Sequence, residues 1–275
     1  MKKIRLFTLL LGILLCNFLS AQRGWEAGGW LGLSHYFGDL NTGYSLSSPG
    51  LAAGVIARYN FDERVCLKFS ANYGQVSGDD AKSKNAYEKA RNLSFRSPVM
   101  EGSAQIEFNF LPYVHGSRDN FYTPYLFGGF SVVNFNPQAE LNGKWHDLRP
   151  LGTEGQFRGE EYYSTTGALC YGGGFKIDLS YEWSINLEIG ARYLFSDYLD
   201  DVSTIYADKE DLENLRGDIA VALSDRSILV PGVNDGQIGQ VGRQRGNSTT
   251  KDTYVFLGIG FLYYFGDLRC PPYSR

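Results

Sequence analysis

The chain has 275 residues, with 26 Lys and Arg against 30 Asp and Glu; it is rich in Gly (33), Tyr (19) and Phe (18) and poor in His (3) and Met (2). This length allows one large domain or two small ones, and the composition suits strands better than helices. The acidic balance excludes the basic surface on which nucleic-acid binding depends.

The first 21 residues have the pattern of a secretory signal peptide. Lys2, Lys3 and Arg5 form a charged start, and an apolar run from Leu6 to Leu19 leads to the small residues Ser20-Ala21. The run is shorter than the roughly 20 residues of a membrane anchor. Removal of this leader leaves a net charge of (26 − 3) − 30 = −7.

Segments that alternate apolar and polar side chains follow along the rest of the chain. The clearest is Ser184–Ser203, where Leu187 and Ile189 lie on one face of an extended strand and Glu188 and Arg192 on the other. A lipid-facing barrel strand and a soluble sandwich strand both produce this pattern. Eight strands are predicted, at 24–39, 51–61, 65–75, 99–113, 121–135, 166–180, 184–196 and 252–265. The fifth has poorly separated faces, which predicts a bulge or a kink at Gly128-Gly129.

The connections between these strands alternate between long and short. The long ones are 40–50, 76–98, 136–163 and 197–251, the last with a short helix predicted at Asp208–Leu215; the short ones are 62–64, 114–120 and 181–183. If the N-terminus is periplasmic, every long connection falls at the outer end, as in bacterial outer-membrane barrels. A soluble sandwich has no reason to sort its loops in this way.

We therefore predict an all-β fold, an eight-stranded antiparallel transmembrane (OmpA-like) β-barrel with long extracellular loops. The predicted organisation is a signal peptide at 1–21, an outer-membrane barrel at 22–268 and a short tail at 269–275, with both termini periplasmic and membrane lipids around the wall. Glycines share the polar strand face with charged residues, which suits a narrow, packed lumen. Because unpaired buried charges are costly, we predict an ion network that plugs the lumen, formed by Arg58, Lys68, Glu101, Glu107, Lys176, Glu188 and Arg192.

Aromatic residues at the strand ends predict two girdles at the membrane interfaces. The periplasmic girdle consists of Phe61, Phe110, Phe121, Trp183 and Phe265, and the outer girdle of Tyr73, Phe135, Tyr193 and Phe195.

Catalytic signals are sparse. No nucleophile stands beside a base in a known motif, so we expect no enzymatic activity and no cofactor. The alternative is a lipid A-modifying enzyme that uses His146 with Ser164. The acidic residues Asp197, Asp200 and Asp201 offer oxygen ligands to calcium, but they lack the spacing of a calcium loop. We expect them to hold a loop in place without a metal.

Three stretches carry a resemblance to a known family. They are TPYLFGG at 123–129 running on to FNP at 135–137, PLGTEGQ at 150–156, and DYLDDVS at 197–203. They resemble the Bacteroidota outer-membrane barrel family that includes PorG of the type IX secretion system, and the resemblance covers nearly all of the mature chain. It implies an eight-stranded barrel and, for the secretion member, attachment to the periplasmic ring of PorK and PorN. Other members are not tied to secretion, so a stand-alone OmpA-like barrel that stabilises the envelope or binds a ligand is the alternative.

Two further interpretations concern the ends of the barrel. The loops at 150–156 and 197–203 are expected to pack together as an extracellular cap; a partner contact is the other interpretation. The residues concerned are Gly152, Thr153, Glu154, Gln156, Asp197, Asp200 and Asp201. At the other end, Cys270 and Tyr273 in the tail are candidates for contact with lipoproteins of a PorK/PorN-like ring.

Overall fold

The computed structural model describes residues 24–266, in which long strands are the main regular structure. The eight long strands are β1 (Gly24–Phe37), β2 (Gly50–Asn60), β3 (Val65–Asp79), β4 (Ser94–Asn109), β5 (Tyr122–Phe135), β8 (Thr165–Asp178), β9 (Trp183–Leu194) and β10 (Thr253–Tyr264). Two short strands, β6 (Gln138–Leu141) and β7 (Lys144–Asp147), form a hairpin between β5 and β8. The predicted signal peptide and the tail residues Cys270 and Tyr273 lie outside the described range.

The eight long strands close into a barrel. Each pairs antiparallel with its neighbours in the order β3, β2, β1, β10, β9, β8, β5, β4, and β3 also pairs with β4. The pairing of β1 with β10 joins the first and last of the described strands. A closed sheet has no free edge, and this arrangement confirms the predicted eight-stranded antiparallel barrel.

The barrel is apolar outside and polar inside. Leu31, Leu51, Ile106 and Ile189 point outward and are 72%, 78%, 63% and 54% exposed. Charged side chains on the opposite face of the strands are buried in the lumen. Because a soluble sandwich buries its apolar face, this distribution decides between the two interpretations of the strand pattern in favour of the barrel.

The connections at one end of the barrel are shorter on the whole than those at the other. The turns 61–64, 110–121 and 179–182 share one end with the start of β1 and the end of β10, and the connections 38–49, 80–93, 136–164 and 195–252 share the other; 110–121 and 38–49 both have twelve residues. These outer loops contain the hairpin β6–β7 and three short helices, α1 (Ala86–Arg91), α2 (Lys209–Arg216) and α3 (Asp218–Ser224). Helix α2 confirms the helix predicted at Asp208–Leu215, displaced by one residue because Asp208 is its N-cap. None of the helices in residues 24–266 has the length and apolar character needed to cross a bilayer.

The predicted loop at 76–98 is wrong at both ends. Strand β3 continues to Asp79 and β4 begins at Ser94, so a much shorter loop joins them. In this outer part of the wall the two faces exchange character: Val76 and Phe95 point inward and are buried, while Arg96 points outward. A strand whose polarity inverts along its length has no single alternating pattern, which is why the sequence pattern was interpreted as ending there.

Strand β5 has no bulge, contrary to the expectation for Gly128-Gly129. It pairs in unbroken register with β4 and with β8. Phe127, Val133 and Phe135 point inward, so the second apolar face belongs to the interior. Phe135, predicted for the outer girdle, is 1% exposed, because the interior beneath the outer loops is apolar.

The interior therefore has two levels. Charged and amide side chains fill the half near the short turns, whereas an apolar cluster fills the outer end and the space under the loops. Its members include Tyr36, Leu40, Val76, Phe95, Val99, Val133, Phe135, Leu148, Leu194, Leu199 and Val202. This apolar core fixes the long loops onto the barrel mouth.

Candidate functional site

Glu107 is the centre of the charged half of the lumen. Its carboxylate lies 2.8 Å from Arg58 Nε, 2.6 Å from Lys176 Nζ and 3.2 Å from Lys68 Nζ. These side chains come from four strands and are almost inaccessible to solvent. One carboxylate thus joins opposite sides of the barrel wall through charge-assisted contacts.

Further ion pairs extend this network. Arg58 also pairs with Glu26 at 2.9 Å, and Lys68 pairs with Glu188 at 2.5 Å. Nearer the cap, Arg192 Nε lies 2.9 Å from Glu101. All seven residues that the sequence analysis assigned to the lumen lie there, and among the described residues four carboxylates face four cations. Glu26 also belongs to this network and was not predicted from the sequence, although it alternates in phase with Gly28 on β1.

The mouth at the short-turn end is closed by His115. The turn 110–121 folds inward, so that His115 Nε2 lies 3.1 Å from Glu26 and Nδ1 lies 3.0 Å from Asp178. The ring stacks on Tyr264 with centroids 4.2 Å apart. Burial alone would lower the pKa of His115, but the hydrogen bonds with Asp178 and Glu26 outweigh it and raise the pKa to about 9. The imidazolium therefore holds the turn in the mouth at neutral pH.

The lumen leaves almost no free space. Its cavity between Trp30, Lys68 and Arg192 measures about 20 Å³, which is enough for about one water molecule. The described part of the barrel therefore has no passage for a solute, and the lumen acts as a packed core.

The outer mouth is closed by a cap in which the two loops singled out from the sequence meet. Thr153 Oγ1 donates to Asp201 Oδ2 at 2.5 Å. The carboxylate of Glu154 accepts from the backbone N–H of Ser203 at 2.8 Å and from Thr204 Oγ1 at 2.6 Å. The structure thus brings 150–156 and 197–203 together as one unit.

The other candidate cap residues shape these loops. Gly152 has a φ of +54°, a left-handed conformation that favours glycine. Gln156 accepts from the backbone N–H of Glu154 through its side chain and from Arg216 through its carbonyl. Asp197 accepts from Ser203 Oγ at 2.7 Å. These contacts lie within the cap, as expected for side chains that hold a loop.

Two buried arginines that the sequence analysis missed connect the remaining loops. Arg245 pairs with Glu154 at 3.2 Å and donates to the carbonyl of Asp201. Arg91 holds Asp80 through two hydrogen bonds of 2.7 and 2.8 Å and donates to the carbonyl of Arg245. Both arginines stand alone in polar loop sequence, where no periodic pattern marks a buried position.

A group of buried carboxyl groups lies directly under the cap. Tyr36 OH is 2.5 Å from Asp200 Oδ2 and 3.1 Å from Asp252 Oδ1. A phenol has one proton to donate, so the second contact is a hydrogen bond only when a carboxyl carries a proton. Burial raises the pKa of both groups well above the ordinary range, with added repulsion from Asp252 on Asp200 and from Asp197 on Asp252. Burial also raises the pKa of Asp197 to about 7 and that of Asp201 to about 6.

These pKa values predict that the cap loosens as the pH rises. A carboxyl whose pKa is higher in the folded cap than in the open loop, where it is near 3.8, binds its proton more tightly when the cap is closed. The stability that such a carboxyl gives to the closed cap is fully present below pH 3.8, the pKa of the open loop. It is lost between about pH 4 and 7, as Asp201 and then Asp197 ionise. We expect hydrogen exchange of the backbone amides of 197–206, corrected for the intrinsic rate, to be faster at pH 7.5 than at pH 5.

The variant Asp197→Asn provides the control, because its amide oxygen still accepts from Ser203 but cannot titrate. Exchange in this variant should depend less on pH than in the parent protein. Equal dependence in both would show that Asp197 does not control the opening.

The remaining candidates are spread over the molecule. His146 lies on β7 opposite Ala139, and Ser164 precedes β8, where its carbonyl accepts from the N–H of Phe135. Cys66 and Cys170 are buried free thiols. Among residues 24–266, no group of three or more His, Cys, Asp or Glu side chains is arranged to hold a metal ion.

A closed barrel with an apolar wall, a lumen filled with paired charged side chains and both mouths sealed is an outer-membrane-type β-barrel of eight strands. Within that class, the chain belongs to the family described as a domain of unknown function (DUF6089), whose model matches residues 4–221. No curated protein sequence matches the chain.

Several solved structures are similar in fold. Neisserial surface protein A is 12% identical with a TM-score of 0.43, covering 90% of this chain and 100% of its own. Outer membrane protein OprG from Pseudomonas aeruginosa is 10% identical with a TM-score of 0.42, covering 90% and 99%. The N-terminal β-barrel domain of OprF from the same organism is 10% identical with a TM-score of 0.38, covering 90% and 100%.

Proposed function

We propose that this protein is a non-enzymatic outer-membrane subunit of a type IX protein secretion system, which links the membrane to a periplasmic ring like that of PorK and PorN. In this proposal the barrel wall contacts outer-membrane lipids, both termini are periplasmic, and the long loops face outward. The three stretches that resemble the family, at 123–137, 150–156 and 197–203, support this assignment.

The observation that carries the proposal is the sealed lumen. The lumen cavity between Trp30, Lys68 and Arg192 has room for about one water molecule, which argues against a solute channel. The surfaces that remain available to bind a partner are the outer wall and the two ends of the barrel. An anchor for periplasmic components needs these surfaces and no open channel.

The short-turn end offers a rigid surface for such a partner. The turn 110–121 is held from inside by His115, and its tip exposes Arg118 and Asp119. The strands β1 and β10 begin and end at the same level, so the last described residue, Gly266, lies at this end of the barrel. We propose that the turn and the tail together contact the ring lipoproteins.

Capture of the full-length protein from detergent-solubilised membranes tests this proposal. We expect ring lipoproteins to be recovered with the parent protein, and recovery to fall at least several-fold when Arg118→Glu and Asp119→Lys reverse the charges of the turn. The matched control is Glu213→Gln in α2, an exposed residue at the opposite end, which should leave recovery unchanged. Absence of ring lipoproteins with the parent protein would refute the proposal.

The second candidate function is that of a stand-alone barrel that stabilises the envelope. The observation that favours it is that Thr153, Glu154 and Asp201 use their side chains within the cap, which leaves them unavailable to a partner. Deletion of the protein distinguishes the two functions, since a secretion subunit is needed for cargo release. Intact secretion with increased sensitivity of the cells to detergent would favour the stand-alone barrel.

A further inference from the structure

The outward face of the β3–β4 wall changes from apolar to polar at a defined level. Tyr73 and Met100 form the last exposed apolar pair, and four residues further on Ser77 stands opposite Arg96. Four residues span about 13 Å along a strand, or about 10 Å of height at a strand tilt of about 40°. The headgroup layer is about 5–8 Å thick on each side of a bilayer, so Arg96 lies just beyond it, within reach of a large headgroup only.

A groove of about 560 Å³ opens at this level. Strands β3 and β4 form its floor, and the hairpin β6–β7 and the loop residue Arg226 line its sides. Lys82, Arg96 and Arg226 converge on it. Two carboxylates, Asp79 and Glu140, also line it, so the cations exceed the anions by 3 − 2 = 1.

None of these three cations forms an ion pair with another described residue. Lys82 Nζ donates to Ser48 Oγ at 3.0 Å, Arg226 Nη1 to Ser94 Oγ at 2.8 Å, and Arg96 Nε to Gln138 Oε1 at 3.2 Å. Arg91, Arg192 and Arg245, in contrast, all pair with carboxylates. The positive charge of the groove is therefore available to an anion from outside.

The ring of Trp145 fixes the position of the Arg96 guanidinium. The guanidinium carbon of Arg96 stands 3.5 Å from the centroid of the Trp145 ring, a cation–π contact that holds the group flat on the ring. The Nη atoms at the edge of the guanidinium remain for a two-point contact, the geometry that suits phosphate. The indole, on the hairpin strand β7, is part-exposed beside it.

We propose that this groove binds the phosphorylated sugar headgroup of a glycolipid in the outer leaflet. Lys82, Arg96 and Arg226 take the phosphate, while Asp79 and Glu140 accept hydrogen bonds from sugar hydroxyls. The carboxylates make a bare phosphate a poorer ligand than a phosphate carried on a sugar. The inference rests on the proposed outer-membrane location, because it needs the groove to face the outer leaflet.

Binding to phospholipid vesicles with and without lipid A tests this inference. The full-length protein is inserted into each kind of vesicle, and its tryptophan fluorescence is monitored as the lipid A content rises. We expect saturable binding to phosphorylated lipid A and about tenfold weaker binding after its phosphates are removed. The triple variant Lys82→Gln, Arg96→Gln, Arg226→Gln should lose binding by at least about tenfold.

The matched control replaces three exposed cations elsewhere, Lys89→Gln, Arg158→Gln and Arg243→Gln, and should bind like the parent protein. The single variant Lys82→Gln changes the loops least, and weaker lipid A binding by this variant would show that the loss in the triple variant does not come from misfolded loops. Equal binding by the triple variant and the parent, or equal binding of dephosphorylated lipid A, would overturn the inference, as would full competition by inorganic phosphate alone. Failure of the parent to insert into any vesicle would instead refute the proposed membrane function.

Discussion

Replacement of Glu107 by Gln is expected to destabilise the barrel more than any other single change in the lumen. The variant leaves Arg58, Lys68 and Lys176 around a neutral amide, at 0–2% exposure. Removal of one partner from a buried ion pair typically costs about 3–5 kcal/mol, since the remaining charge stays desolvated. Urea unfolding of the protein in lipid vesicles, followed by tryptophan fluorescence, measures this loss as a lower unfolding midpoint.

A second change separates charge balance from packing. In Glu107→Gln with Lys176→Met, one anion and one cation disappear together, and the methionine keeps most of the volume. We expect this double variant to recover part of the lost stability, because three cations then face three carboxylates. Glu213→Gln, at an exposed position in α2, is the neutral reference. An unchanged midpoint for Glu107→Gln alone would contradict the central role of this carboxylate.

Replacement of Arg245 by Met is expected to open the cap and leave the barrel closed. Arg245 is the cation that faces both Glu154, at 3.2 Å, and Asp201 in the buried part of the cap. Without it two buried carboxylates repel each other, and the free energy of cap opening falls by more than the 1.4 kcal/mol that corresponds to a factor of about ten. Limited proteolysis should therefore cleave the segment 195–252 at least about tenfold faster.

The stability of the barrel shows whether the effect of Arg245→Met is confined to the cap. Its unfolding midpoint should change little, because the ion network of the lumen lies below the apolar core and does not include Arg245. Arg243→Met, two residues away at an exposed site, should leave the cleavage rate unchanged. If the cap of Arg245→Met resists proteolysis like the parent protein, the other hydrogen bonds between 150–156 and 197–203 are sufficient to hold it.

The sequence was most informative where one face of a strand stays apolar along its length. Strand β9 shows this well, since Leu187 and Ile189 face outward and Glu188 and Arg192 inward, as their alternation predicts. Pairing among lumen charges followed from the cost of burying them singly. Which carboxylate meets which cation depends on strand pairing and on contacts across the barrel, so the central position of Glu107 was not available from the pattern.

The pattern failed where the surroundings of the wall change. Beyond Tyr73 the outward face of β3 meets water and the inward face meets the apolar core. The polar residue Gln75 therefore points outward and the apolar residue Val76 points inward, the reverse of the earlier part of the strand. The same inversion made β5 look irregular and placed Phe135 in a girdle. The contacts of Arg91 and Arg245 join loops far apart in the chain, and short-range sequence patterns carry no information on such contacts.

The distribution of the Glu107 contacts has a consequence for how the molecule assembles. Its partners stand on β2, β3 and β8, and Glu26, the second partner of Arg58, stands on β1. A half-formed sheet that enters the bilayer would expose these side chains to hydrocarbon before their counter-ions arrive. Intermediates with few strands inserted are therefore disfavoured, and insertion and closure should take place as one concerted transition.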